Sequence, residues 1–332
     1  MQTDQTKSYT PSEAYNALGL NQGNLGESPA DLYLDMVKRA VCNFLYEDTA
    51  IWRYDHRKEI HTLNRYDLEA RFLGEDLPTE AHTMIGWRRL CNIQTCADAI
   101  LKQSVPGDFV ETGVLRGGSA IFMRALLKAH GSLDRQVIAC DTFVHEGQPT
   151  DLFSRLLTWG ICRLIQAALF IPSQAWRKML FRCFEGMQKS FPKSANPSEA
   201  WIDTFLYGAA HWDRLAVLTN RDRTSLEAVK SNFARYGLLD NQVVFLKGFF
   251  SETLPSFGLQ KIALLRCDGD SFESTYGVLQ ELYSKVSPGG FIIIDDYHSY
   301  NDCKEAVDRF RTENGVVTPL SPIDNLSVYW QK

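Results

Sequence analysis

The apolar side chains of this chain follow two textures, and the change between them falls near Pro106. Before that point, Leu32, Leu34, Met36, Val37, Val41, Phe44 and Leu45 recur at helical spacing over residues 29–46. A second helical pattern covers residues 84–103, with Leu90, Ile93, Cys96, Ala97, Ile100 and Leu101 on one side. The first 26 residues are polar and glycine-rich and read as loose, and residues 54–74 carry many charges without a clear period. Residues 1–103 therefore read as an N-terminal helical cap. After Pro106, short apolar runs at 109–111, 137–140, 243–246, 262–267 and 291–294 alternate with helical stretches at 119–129, 225–236, 274–285 and 302–312. Strands alternating with helices specify a parallel sheet covered on both faces, an α/β fold. Residues 316–320 and 326–330 read as a closing β-hairpin across a turn at 321–325.

Composition narrows the class. The chain has 332 residues, 45% of them hydrophobic, enough for a substantial core. Its 35 basic and 40 acidic side chains leave a net charge of −5, which argues against a nucleic-acid binder. Eight cysteines are scattered without a C-x-x-C pair, so neither a disulfide scaffold nor a structural zinc site is expected. The polar N-terminus shows no secretory signal, and a reducing, cytoplasmic setting is the expectation.

Ligands of parallel sheets bind beyond the carboxyl ends of the strands. The first such strand runs into Glu111-Thr112-Gly113-Val114-Leu115-Arg116-Gly117-Gly118-Ser119 and then a helix. This is neither a G-x-G-x-x-G fingerprint nor a phosphate-binding P-loop. A carboxylate ahead of the turn suits a cationic amino-acid ligand, and acid-x-Gly-x-x-x-Gly is the usual form in S-adenosylmethionine methyltransferases. Asp141, with Thr142 behind it, ends the next strand where it can accept hydrogen bonds from ribose hydroxyls. Gly248 and Phe250 follow the third strand and could offer backbone and an aromatic face to an adenine ring. Asp268 and Asp270 trail the fourth strand, Asp295 and Asp296 the fifth. Four carboxylates at one sheet edge repel each other unless protonated or gathered round a cation, and hard oxygen ligands favour Mg²⁺ or Mn²⁺, with Ca²⁺ also compatible. Helix capping is the plain alternative for Asp270. His298 lies just beyond the cluster, where a general base could sit.

At these residues the sequence resembles the macrocin O-methyltransferase family, Mg²⁺- and S-adenosylmethionine-dependent enzymes that methylate sugar hydroxyls of antibiotics. The resemblance runs from about residue 84 to residue 332 and rests on Met84-Ile85-Gly86, Pro106-Gly107-Asp108, Glu111-Thr112-Gly113 with Arg116-Gly117-Gly118, and Asn232-Phe233-Ala234-Arg235-Tyr236-Gly237-Leu238. It continues through Asp268-Gly269-Asp270, Glu273-Ser274-Thr275, Ser287-Pro288-Gly289-Gly290, Asp295-Asp296-Tyr297 and Val328-Tyr329-Trp330-Gln331. The resemblance implies a Rossmann-like, seven-stranded methyltransferase sheet over residues 104–332. It further implies a metal held by Asp268, Asp295 and Asp296, with Asp270 as base, and a cofactor pocket that includes Glu111, Gly113, Ser119 and Asp141. The acceptor it implies is a hydroxyl of a glycosylated small molecule, and a homo-oligomer is expected. The sequence departs from the family at Leu115, where tryptophan is frequent, and at Ser271-Phe272.

A further departure is the long connection at about 145–212. Within it Phe153, Leu156, Leu157, Ile161, Leu164, Ile165, Ala168 and Leu169 form a helical stripe interrupted by Arg155 and Arg163. Two central arginines argue against a membrane span. A basic amphipathic helix over 152–182 could lie on a membrane surface, but a lid or dimer element is the preferred reading. Two rival functions are a metal-dependent glycosyltransferase, which leaves the Glu111 loop without a role, and a non-catalytic cofactor-binding scaffold.

Overall fold

The computed structural model describes residues 11–20, 28–54, 60–62, 65–143, 179 and 221–332. The connection at 145–212, residue 179 apart, and with it the stretch read as a lid, dimer or membrane-surface element, lies outside the described residues.

The first described elements are α1 (Pro11–Ala17), α2 (Pro29–Val41), β1 (Ala50–Tyr54), β2 (Ile60–Thr62), α3 (Leu68–Leu73), β3 (Asp76–Pro78) and α4 (Gly86–Lys102). Then come β4 (Asp108–Thr112), α5 (Gly118–Ala129), β5 (Val137–Asp141), α6 (Arg221–Thr224), α7 (Leu226–Arg235), β6 (Val243–Lys247), α8 (Phe250–Ser256) and β7 (Ile262–Cys267). The chain ends with α9 (Phe272–Leu282), β8 (Val286–Ile294), α10 (Asn301–Glu313), β9 (Ser321–Pro322) and β10 (Val328–Gln331).

Two features depart from the sequence reading. The region before Pro106 is not made of helices alone, because β2, β1 and β3 form a three-stranded antiparallel sheet. Its strands are three to five residues long and lack an alternating pattern long enough to read. The closing hairpin exists, but its first strand is Ser321–Pro322 and not 316–320, and Val317 is exposed. Apolar character misled there, since an edge strand of two residues is held by its partner's ladder and not by burial.

The main sheet has seven strands in the order β6-β5-β4-β7-β8-β10-β9. Pairing is parallel from β6 through β8, and β10 runs antiparallel to both β8 and β9. The chain enters at β4, builds outward to β6, then returns to the other side of β4 as β7, so the switch point lies between β4 and β7. Alternate residues supply two cores. Phe109, Ala139 and Ile293 face a layer shared with α2, α4, α5 and α7, while Val110, Ile138, Leu265 and Ile292 face α8, α9 and α10. Leu34, Val37, Leu90 and Ile93 belong to the first layer, so the N-terminal region packs directly on the sheet.

Register places the site. Thr112 pairs with Cys140 and Cys267, and Cys267 pairs with Ile294. The next residues, Gly113, Asp141, Asp268 and Asp295, therefore stand in a row along the carboxyl edge. Backbone bonds continue the ladder there: Asp268 N donates to Thr112 O at 2.9 Å and Asp295 N to Cys267 O at 3.0 Å.

Candidate active site

A cavity of about 300 Å³ opens at this edge. Gly113, Val114, Leu115, Ser119 and Asp141 form one wall, and Asp268, Asp270, Asp295 and Asp296 the floor. Residues before the sheet supply another wall, among them Leu77, His82, Met84, Ile85 and Arg89, and Tyr300 and Leu326 complete it.

The glycine turn is set by close packing. Gly113 has φ +87°, and a Cβ there would stand 1.8 Å from the backbone oxygen of Asp268. Beyond it Leu115 holds φ +50°, a conformation that side-chain-bearing residues rarely adopt. Asp141 holds the turn in place: its Oδ2 accepts from the N–H of Val114 at 2.7 Å and of Leu115 at 3.3 Å, and its Oδ1 from Phe143 N at 2.9 Å and Thr142 Oγ1 at 3.3 Å. Asp141 lines the cavity while its oxygens organise the loop.

Glu111, expected in the cofactor pocket, lies fully buried beneath it. Its Oε1 accepts from Ser119 Oγ and from Arg266 Nη1 at 2.7 Å. Burial raises the Glu111 carboxyl, with Arg266 opposing. Thr112, Arg116, Gly117, Thr142, Gly248 and Phe250 do not line the cavity. The Arg116 side chain instead donates to the carbonyls of Thr79 and Ala81 at 2.9 and 3.0 Å, tying the N-terminal region to the glycine turn. Gly248 continues the ladder by donating to Asp141 O at 3.0 Å, and Phe250 packs on the second core. His298 is exposed, outside the cavity, with its ring against Tyr297.

The acids converge. Carboxylate oxygens of Asp268, Asp270 and Asp296 lie within 4.8 Å of one another. Burial, then the Asp295 and Asp296 charges, push Asp268 well above the usual carboxylate range against the pull of Arg266. Burial and the charges of Asp270 and Asp295 do the same to Asp296. Asp270 faces the cavity at φ +57°, and the protein around it, then the Asp268 charge, raise it to about 6. Asp295, expected as a third metal ligand, lines the same cavity, with its Oδ1 2.7 Å from Arg266 Nη2 and its Oδ2 2.8 Å from Arg89 Nη1. Burial alone would raise Asp295, but Arg266 and Arg89 outweigh it and hold it low. Asp270, the expected base, stands within that group, and Asp295 lies beside it on its two arginines.

Three participants were missed. Arg266 pairs at once with Glu111, Asp268 and Asp295. A charge inside the apolar run of β7 was its signal. Arg89 and Asp324 pair at 2.7 Å across 235 residues of sequence and gave none.

The donor set fits a hard dication. Three carboxylates lie within reach of one ion, and Asp296 Oδ2 is buried with no hydrogen bond from the described residues. Among the described residues, Arg89 and Arg266 are the cations paired with Glu111, Asp268, Asp295 and Asp324. That surplus of acid would favour a cation and, beside it, a sulfonium.

A switched parallel sheet closed by an antiparallel hairpin, with a glycine turn and acids at its carboxyl edge, defines a Rossmann-like methyltransferase. The profile of Macrocin-O-methyltransferase (TylF) matches residues 30–157 and 158–332. The 8-demethyl-8-(2,3-dimethoxy-alpha-L-rhamnosyl)-tetracenomycin-C 4'-O-methyltransferase of Streptomyces olivaceus is 38% identical over 305 residues, 92% of this chain and 94% of its own. The mycinamicin III 3''-O-methyltransferase of Micromonospora griseorubida is 38% identical over 305 residues, covering 91% and 96%. Among solved structures, the O-methyltransferase NovP is 35% identical with a TM-score of 0.64, covering 91% of this chain and 99% of that one. The chain belongs to the macrocin O-methyltransferase family and is an O-methyltransferase. Family membership removes the glycosyltransferase and non-catalytic readings. Among the described residues no helix is long and apolar enough to cross a membrane.

Proposed function

We propose that this enzyme transfers the methyl group of S-adenosylmethionine to a hydroxyl of a sugar-bearing small molecule, with Asp268, Asp295 and Asp296 holding Mg²⁺ or Mn²⁺ beside the acceptor and Asp270 next to them as the base. The convergence of these carboxylates on one cavity carries this reading. The named relatives, which act on glycosylated antibiotics, support the acceptor class. The six described cysteines stand as free thiols, in keeping with a cytoplasmic setting.

When bound, the donor supplies an electrophilic methyl on sulfur. A dication, when bound, supplies positive charge that eases loss of the hydroxyl proton. The chain's own residues do the rest. Gly113 lets backbone approach the donor, and Asp141 fixes the Val114 and Leu115 amides that border it. Asp270, raised to about 6, is ionised at neutral pH yet basic enough to accept a proton, so it is the candidate base. As the O–H bond gives its proton to that carboxylate, oxygen bonds to the methyl carbon, the carbon–sulfur bond breaks, and the sulfur leaves as a neutral thioether. Holding oxygen, methyl and sulfur in line supplies much of the acceleration.

The test is mass spectrometry of glycosylated acceptors incubated with S-adenosylmethionine and Mg²⁺. A gain of one methylene, dependent on the donor, is expected. Transfer to acceptors lacking a sugar, with none to glycosides, would overturn the substrate class.

A further inference from the structure

Arg89 stands on α4, ahead of the main sheet, yet its guanidinium reaches the acid cluster. Nη1 donates to Asp295 Oδ2 at 2.8 Å and Nε to Asp324 Oδ2 at 2.7 Å, with the side chain 6% exposed. Asp324 shapes the turn of the closing hairpin, its Oδ1 accepting from the N–H groups of Leu326 and Ser327 at 2.8 Å. Ser327 Oγ then donates to the Asp295 carbonyl at 2.5 Å, which closes a ring of contacts. The opposite oxygen of Asp295 rests on Arg266, and Arg266 also grips Asp268. The cap helix, the end of β8 and the hairpin turn are therefore joined through one side chain, next in space to the triad. A planar guanidinium can fix two carboxylates in set directions, which an ammonium cannot.

We propose that Arg89 is a positioning residue of the metal centre: by bridging Asp295 and Asp324 it keeps the β8 end where Asp295 and Asp296 can share one dication with Asp268. The proposal rests on the metal reading given above. Charge and position predict opposite signs. Removing a positive group this close to carboxylates would, by Coulomb attraction alone, tighten cation binding. Loss of position weakens it, and partners that orient metal ligands are typically worth about 10–100-fold in affinity.

The experiment is calorimetric titration of the full chain with Mn²⁺ alone, with melting temperatures recorded for each variant. Asp296→Asn is expected to abolish the site. Arg89→Met should weaken Mn²⁺ by about tenfold or more. Arg89→Lys, which keeps charge but loses the fork, should fall between Met and wild type. Asp324→Asn should weaken Mn²⁺ in the same direction, and it carries the test if Arg89→Met does not fold. Unchanged or tighter Mn²⁺ binding in Arg89→Met and Asp324→Asn, with the wild-type site intact, would overturn the proposal, whatever the melting temperature does. A wild-type chain that takes up no Mn²⁺ is a different failure, because it removes the metal reading itself and this proposal with it.

Discussion

At Gly113 a φ of +87° coincides with a neighbouring carbonyl oxygen 1.8 Å from where a Cβ would stand. Gly113→Ala must therefore push β4 and β7 apart beside the acid cluster. We expect it to cost about 2–4 kcal/mol, read by urea unfolding. His82, whose Nδ1 lies 2.8 Å from the Tyr236 hydroxyl, supplies a second residue-scale expectation. Burial, then the charges of Arg116 and Arg235, lower its pKa to about 4, against 6.5 when unfolded. Between those values the unfolded chain binds more protons than the folded one, so stability rises with pH across the window and is lost as pH falls from 6.5 towards 4. The loss should be on the order of 2 kcal/mol. His82→Gln should flatten the unfolding free energy against pH over that range, and an unchanged slope would show that another group titrates there.

The strands of the main sheet were legible because burial on both faces leaves unbroken apolar runs, as in Phe291–Ile294. Their ends were legible too, since a carboxylate following such a run has one place to go. The short β1–β3 sheet and the hairpin register were not, because these strands are two to five residues long and their pairing depends on partners elsewhere in the sequence. The acid cluster could be read residue by residue, but its wiring could not. Which carboxylate rests on an arginine depends on Arg89 and Arg266 arriving from other elements, and both of them meet at Asp295. Helix α2 offers an element-scale check. Ser28 and Asp31 form a reciprocal capping box at its start, with Asp31 N to Ser28 Oγ at 3.2 Å and Ser28 N to Asp31 Oδ2 at 3.0 Å. Ser28→Ala should lower stability by about 1 kcal/mol in urea unfolding with turnover kept, since the cap sits at the exposed start of the helix and does not line the cavity.

Taken whole, the molecule gathers residues from both ends of its sequence around one cavity. The segment ahead of the sheet supplies His82, Met84 and Arg89, the sheet supplies the acids, and the closing hairpin supplies Leu326. Ligands that bridge these parts should stabilise them together. S-adenosylmethionine with Mg²⁺ at about a hundred times their dissociation constants should each add up to about 2.7 kcal/mol, visible as a rise in melting temperature. The most direct measurement is methyl transfer by enzyme stripped with chelator and then resupplied with Mg²⁺. Turnover is predicted to drop to background on stripping and to return with the ion, and not to return in Asp268→Asn or Asp296→Asn. Undiminished transfer in excess chelator would contradict the claim that these aspartates work by sharing a dication.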